Sequence, residues 1–237
     1  MATKKNRQKK DSNVIYKSNL LFKYCAKEWH QIITANQVQL KIASDFKIFS
    51  EGDLVKGIFI INSGKVKVVS VFDKDKERIH RLASEKKILG HRGIGSKKYT
   101  ISAIALTDTI VTFMPMDIFN ILLKTNPALS LFMIEFMAEE LRNSEEQMKN
   151  MVQLEVKERI ASILVTLINS FGYDSKESTK LSFTLSRKDI ASIAGTTYET
   201  VIRTLAYLDK KKLIELVGKD IHIKNEKELK LFSVQNQ

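Results

Sequence analysis

Ser186-Arg187-Lys188-Asp189-Ile190-Ala191-Ser192-Ile193-Ala194-Gly195-Thr196-Thr197-Tyr198-Glu199-Thr200-Val201-Ile202-Arg203-Thr204-Leu205 is the stretch that decides how this 237-residue chain folds. Ser186, with the acid Asp189 three residues on, has the form of an N-terminal capping box, so a helix begins here. It carries Ile190, Ala191, Ile193 and Ala194 and meets Gly195, where a left-handed turn is cheapest for a residue without a Cβ. Thr196 or Thr197 caps a second helix that runs to about Lys211 with Val201, Leu205 and Leu208 on one face. Ala191, Gly195 and Val201 have the spacing of a helix-turn-helix: the small alanine lets the helices approach, the glycine makes the turn, and the β-branched valine packs the second helix on the first.

Just beyond, Leu213 to Val217 and Ile221 to Ile223 alternate apolar with polar around Gly218-Lys219-Asp220, which predicts a hairpin, the wing of a winged helix-turn-helix. In such a unit the second helix enters the major groove and its N-terminal side chains reach base edges. Tyr198, Glu199 and Arg203 hold those positions, with Arg187, Thr197, Thr200 and Lys219 placed to meet phosphate. Arginine bonds guanine O6 and N7 together, and glutamate accepts from cytosine N4. Each has a plainer alternative: Glu199 caps its helix if Thr196 is the cap residue, and Arg203 binds phosphate or a neighbouring acid.

Upstream lies Val156 to Phe171, an amphipathic helix ended by Gly172, followed by a polar surface loop from Tyr173 to Lys180. Before it, from Pro127, Ile134, Met137, Leu141, Ser144, Met148 and Met151 recur at alternating steps of three and four, the seam of a coiled coil. Burial against the chain's own β-domain would satisfy part of this seam. A second copy of the chain buries the rest, so the expectation is a homodimer.

From Val38 to Met114 the pattern is β: Val38 to Ile42, Phe46 to Phe49, Gly57 to Ile61, Lys65 to Phe72, Arg78 to Leu82, Thr100 to Ala105 and Ile110 to Pro115 alternate with turn-forming stretches such as Glu51-Gly52-Asp53. About eight such strands make a small barrel or sandwich. One or two short helices precede them between Leu20 and Gln37, and a helix follows from Asp117 to a break at Asn126-Pro127.

The net charge of +12 invites nucleic acid as a partner, but its distribution matters more. Residues 1–50 carry an excess of +7, residues 51–170 of +2 and residues 171–237 of +3, with Lys4, Lys5, Arg7, Lys9 and Lys10 in a dense run that reads as a disordered tail. Charge therefore does not locate the DNA site. No apolar stretch approaches the roughly 20 residues a bilayer needs, and no secretory signal is present, so no membrane is expected. Cys25, the one cysteine, excludes an internal disulfide and any all-cysteine iron–sulfur site, and places the chain in the reducing cytoplasm. His30, His80, His91 and His222 show no spacing that favours a haem ligand. No Gly-rich phosphate loop, zinc-ligand spacing or nucleophile elbow marks an enzyme.

The order of parts resembles the bacterial Crp/Fnr family, the cyclic-AMP-receptor and fumarate-nitrate-reduction regulators, from about Val38 to the end. Ile48-Phe49-Ser50-Glu51-Gly52-Asp53 and Gly57-Ile58-Phe59-Ile60-Ile61-Asn62-Ser63-Gly64-Lys65-Val66 look like its first β-roll strands. Glu199-Thr200-Val201-Ile202-Arg203 is similar to its recognition segment, in which the Glu and the Arg read a G·C-containing half-site. Tyr198 stands where the cyclic-AMP-receptor type has arginine, so the preferred site should differ. The resemblance implies an α+β chain: a basic tail (1–19), a cyclic-nucleotide-binding-like double-stranded β-helix or jelly roll with short flanking helices (20–126), a coiled-coil dimerisation helix (127–155) and a winged helix-turn-helix (156–237). Its function would be transcription regulation as a homodimer on palindromic double-stranded DNA, with RNA polymerase as a partner if it activates.

The family's cyclic-nucleotide binders use Gly-Glu for the ribose and Arg-Ser or Arg-Thr for the phosphate. Here Gly90 is followed by His91 and Arg92, and Lys97 and Lys98 stand where Arg and Ser would be. Lysine lacks the planar fork that suits phosphate, so cyclic-AMP binding does not carry over and the effector stays unknown. Another anion at His91, Arg92, Lys97 and Lys98 and solvated loop lysines are both open, as are a ligand contact and a register-setting role for Ser144. A second class of function also stands: a ligand-binding signalling module whose C-terminal domain contacts a protein.

Overall fold

Gly57–Ser63 is a strand buried on both faces, and the N-terminal part of the chain is built around it. The computed structural model describes residues 9–10, 20–73 and 76–234, and divides into two compact units at Leu141/Arg142. The first contains β1 (Lys9–Lys10), α1 (Leu20–Tyr24), α2 (His30–Asn36), β2 (Val38–Ile42), β3 (Lys47–Phe49), β4 (Gly57–Ser63), β5 (Val66–Asp73), β6 (Lys76–Ala83), β7 (Ile88–Leu89), β8 (Ser102–Ala105), β9 (Thr109–Pro115), α3 (Met116–Thr125) and the beginning of α4 (Pro127–Gln153). One sheet runs β1-β2-β9-β4-β7 and the other β3-β8-β5-β6, every pairing antiparallel.

Successive strand residues point to opposite faces, and in β4 both sets are apolar. Phe59 and Ile61 join Val66, Val68, Ala103, Ala105 and Val111 in the core between the sheets. Ile58 and Ile60 join Ile88 and Met114 under a cover of helices that contributes Leu21, Cys25, Ile33, Phe119, Leu122, Leu129, Met133 and Phe136. Eight strands between Val38 and Pro115 match the expected number. Ile88–Leu89 pairs with β4 although two residues are too few to show an alternating pattern. The basic tail lies outside the described residues, apart from the backbone of β1, which pairs with Lys41 and Leu40.

The helical region breaks where proline predicts it. α3 and α4 bend by 109° at Asn126, whose buried side chain accepts from the Ala26 N–H at 2.9 Å and donates to the Leu122 carbonyl at 3.0 Å. Pro127 opens α4, where a missing N–H costs nothing. No single helix among the described residues is long and apolar enough to cross a membrane.

Two residues of the seam expected on α4 are half-buried within the chain itself. Met137 packs against the helical cluster of the first unit, and the Met151 methyl sits beside Gly195 in the second. Ile134, Leu141 and Met148 are 66%, 60% and 61% exposed, and Leu131 and Val152 are exposed with them. The apolar row is therefore Leu131, Ile134, Leu141, Met148 and Val152, which keeps one position of each heptad and moves the other by one residue. A seven-residue repeat splits as three plus four or four plus three, and only packing decides between them.

The second unit holds the last turns of α4, then α5 (Val156–Phe171), α6 (Arg187–Ala194), α7 (Tyr198–Lys210), β10 (Ile214–Val217), β11 (Asp220–Ile223) and α8 (Glu226–Phe232). Ile160, Leu164, Leu167, Ile190, Val201, Leu205, Leu208, Ile221 and Leu229 form its buried interior. The loop after α5 is tied down by bridges from Tyr173 to Leu181 and from Lys180 to His222.

Replacing Asn126 by alanine removes a part-buried bond to the Ala26 N–H and a buried one to the Leu122 carbonyl, and urea denaturation should record a loss of about 0.5–1.5 kcal/mol for each. Asn126→Asp, which keeps the acceptor, should lose less.

Candidate nucleic-acid interface

Ser186 caps α6: its Oγ accepts from the Asp189 N–H at 3.0 Å and donates to the Asp189 carboxylate at 2.8 Å. The acid thus bonds the serine hydroxyl. Gly195 ends the helix at φ 59°, in the left-handed region, as its place in the sequence requires. Thr197 caps α7, its Oγ1 accepting from the Thr200 N–H at 3.3 Å, so the choice between Thr196 and Thr197 falls to the latter. Glu199 is then the second residue of α7, one short of the capping-box position.

α7 has two distinct sides. Val201, Thr204, Leu205 and Leu208 are buried against the domain, while Tyr198, Glu199, Ile202 and Arg203 face solvent. The Glu199 carboxyl is held below its ordinary pKa by its own backbone N–H, then by the Thr197 hydroxyl and the Arg203 charge. Arg203 donates to Thr200 Oγ1 at 3.3 Å. Glu199, Thr200 and Arg203 therefore form one connected polar surface on the first turns of α7. A cleft of about 600 Å³ opens beside it, lined among others by Glu155, Lys157, Thr200 and Arg203.

The wing is a two-residue hairpin, Val217 opposite Asp220, with Gly218 at φ 60° and Lys219 exposed at the tip. Arg187 donates to the Lys219 carbonyl at 3.4 Å, which joins the start of α6 to the wing. Tyr198, Glu199, Arg203, Thr197, Thr200, Arg187 and Lys219 thus all fall in one unit, on α6, α7 and the wing.

The expected effector residues differ in exposure. Gly90 adopts φ 80° at the start of a 3₁₀ turn, and His91 beneath it is 4% exposed, while Arg92, Lys97 and Lys98 are exposed. Ser144 is an exposed residue of the other unit. Sequence reasoning missed Tyr99, which enters the roll one residue after the lysines. Its ring stacks on Phe49 with centroids 4.3 Å apart, and its hydroxyl donates to the Gly57 carbonyl at 2.6 Å. It stands in the connection before β8, where Lys97, Lys98 and Thr100 around it are exposed. Also missed was a cluster in which Arg81 bonds Glu140 and the Ile88 carbonyl, with His91 Nε2 3.7 Å from Glu140 and its ring edge-on to Phe136.

The sequence family described as the Crp-like helix-turn-helix domain matches residues 158–232, and the cyclic nucleotide-binding domain family matches residues 41–126. Electron transport regulator A of Shewanella oneidensis is 30% identical over 187 residues, 79% of this chain and 75% of that protein. The transcriptional activator protein Anr of Pseudomonas aeruginosa is 29% identical over 182 residues, 77% of this chain and 75% of that one. Among solved structures, FixK2 of Bradyrhizobium japonicum superposes with a TM-score of 0.76 at 19% identity, covering 85% of this chain and 99% of its own. A CRP/FNR-family transcriptional regulator from Thermus thermophilus gives 0.71 at 17% identity, covering 82% and 97%.

His91 supplies a pH test. Burial, then the charges of Arg81 and Arg92, lower its pKa from 6.5 to about 3. Below pH 6.5 the unfolded chain takes up a proton that the folded chain refuses, so this contribution to stability is full above 6.5 and drains away as the pH falls toward 3. Between pH 7 and pH 5 the wild type should lose about 2 kcal/mol more than His91→Gln, read from urea denaturation of both proteins at both pH values.

Proposed function

The chain belongs to the Crp/Fnr family of transcription regulators, and from that membership we propose that it binds a palindromic DNA site as a homodimer, each protomer laying α7 in one major groove. It is a DNA-binding transcription regulator by family. The observation that carries the finer statement is the exposed polar surface of Glu199, Thr200 and Arg203 on the first turns of α7, left free because the opposite side supplies the core. Arg203 reads guanine through O6 and N7, Glu199 accepts from cytosine N4, and Tyr198 contacts the neighbouring base. Thr197, Thr200, Arg187 and Lys219 meet phosphate on either side, Arg187 through its hold on the wing.

Residues 127–155 serve as the dimerisation helix between a sensor domain (20–126) and the DNA-binding domain (156–237). The row of Leu131, Ile134, Leu141, Met148 and Val152 has the spacing that a second copy buries as a coiled coil. The effector pocket is altered: with Tyr99 inside the roll and Lys97 and Lys98 exposed, cyclic AMP is not its ligand. A single cysteine leaves no thiolate set for an all-cysteine iron–sulfur cluster. The working compartment is the cytoplasm, with RNA polymerase as partner at any promoter the protein activates.

Selection from random duplex should return a palindrome with half-sites about 10 base pairs apart, and no preference over random duplex would overturn the proposal. Arg203→Ala should weaken binding by about 1–3 kcal/mol and relax selectivity at one base pair per half-site. Leu141→Glu, which sets a charge in the seam, should sediment as a monomer and lose the palindrome while keeping weak half-site binding.

A further inference from the structure

Where α4 ends, two backbone carbonyls lack the amide that a continuing helix would offer, and a third stands close by at the end of α6. The Met151 carbonyl would meet the Glu155 N–H, but that N–H donates to the Glu158 carboxylate at 2.8 Å. The Leu154 carbonyl would meet the Glu158 N–H, which the Glu155 side chain takes in the capping box of α5. The Ala194 carbonyl closes α6 at the turn of the helix-turn-helix. One guanidinium serves this whole group. Arg159 donates through Nε to Ala194 at 2.9 Å and through Nη1 to Leu154 at 2.8 Å, with Nη1 also 3.5 Å from the Met151 carbonyl. Helix C-termini carry partial negative charge, and a rigid planar cation suits two of them at once.

A second contact joins the same parts. A Cβ built on Gly195 would lie 2.5 Å from the Met151 methyl, so the end of the Met151 side chain lies against the turn of the helix-turn-helix. Met151 also shares the last turns of α4 with Met148 and Val152, the exposed end of the apolar row. All of these residues lie in the second unit, so the end of the seam and the turn before α7 are parts of one packed body.

We propose that Arg159 and Met151 are positioning residues that lock the helix-turn-helix to the end of α4 and thereby set the distance between the two recognition helices of the dimer. The proposal rests on the dimeric reading above. Neither residue belongs to the exposed side of α7, so loosening the junction should leave base reading within each half-site intact. What it should lose is the ability to reject half-sites at the wrong separation. Moving a half-site by one base pair also turns it by roughly 35° around the duplex, which a rigid dimer cannot follow.

The experiment measures fluorescence anisotropy on the selected palindrome, on versions with one base pair added to or removed from the spacer, and on versions with one altered base at the position read by Arg203. Proteins are the full-length wild type, Arg159→Lys and Met151→Ala, each checked as a dimer by sedimentation. The wild type should bind the shifted spacers about tenfold or more weakly. Arg159→Lys keeps the charge but cannot bridge two helices with one ammonium, and its spacer penalty should shrink to about threefold or less with base selectivity unchanged. Met151→Ala should move in the same direction. Variants as spacer-selective as the wild type would overturn the proposal. So would variants that weaken on every duplex in equal proportion, the mark of general destabilisation. A wild type indifferent to spacing would overturn the dimeric reading by itself, and the proposal with it.

Discussion

β4 and β9 have to be covered on both faces, and most of the first unit follows from that. A second sheet covers the inner face, and helices from either end of the domain must cover the outer one. Leu129, Met133 and Phe136 are drawn onto the sheet for this purpose, which turns Leu131 and Ile134 to the opposite side of α4. The exposed apolar row of α4 is thus a by-product of how the chain completes its own core. Fully burying a leucine or isoleucine is worth about 1.5–3 kcal/mol, so a row of five such residues in water is a strong drive toward association.

The second unit solves a different problem with the same economy of surface. α7 is short, and Val201, Leu205 and Leu208 are spent on packing it against α5, α6 and the wing. Its remaining face is polar at the start, where Glu199 and Arg203 sit one turn apart and attract each other. In water this pair is held together only weakly, since both side chains are exposed. Opening it therefore costs little, and the pair keeps either charge from straying far from α7.

Much of this was legible in the sequence because local chemistry decided it. Ser186, Gly195 and Pro127 act within a few residues of where they stand, through caps, a left-handed turn and a missing N–H, so the helix boundaries could be read directly. The wing was equally plain from alternation around Gly218. Tyr99 was not, because it stands in an irregular connection with no period to read, and its place inside is decided by Phe49 and the Gly57 carbonyl, which are distant in sequence. Which apolar residues of α4 stay exposed within the chain was not legible: Met137 and Met151 are as apolar as Leu131 and Val152, and only their neighbours in space distinguish them. The link through Arg159 joins residues 35 positions apart, and no spacing rule announces it.

Cys25 lies under the helical cover of the first unit, and burial alone pushes its thiol up to about 11. A thiol in that state is inert to alkylating reagents until the cover lifts, because the reactive form is the exposed thiolate. As the chain has no other cysteine, the rate at which it takes up a reagent under native conditions is a clock for the opening of α1 and α2 from the outer face of the five-stranded sheet. The protein carries, at one position, its own gauge of how tightly the helical cover holds.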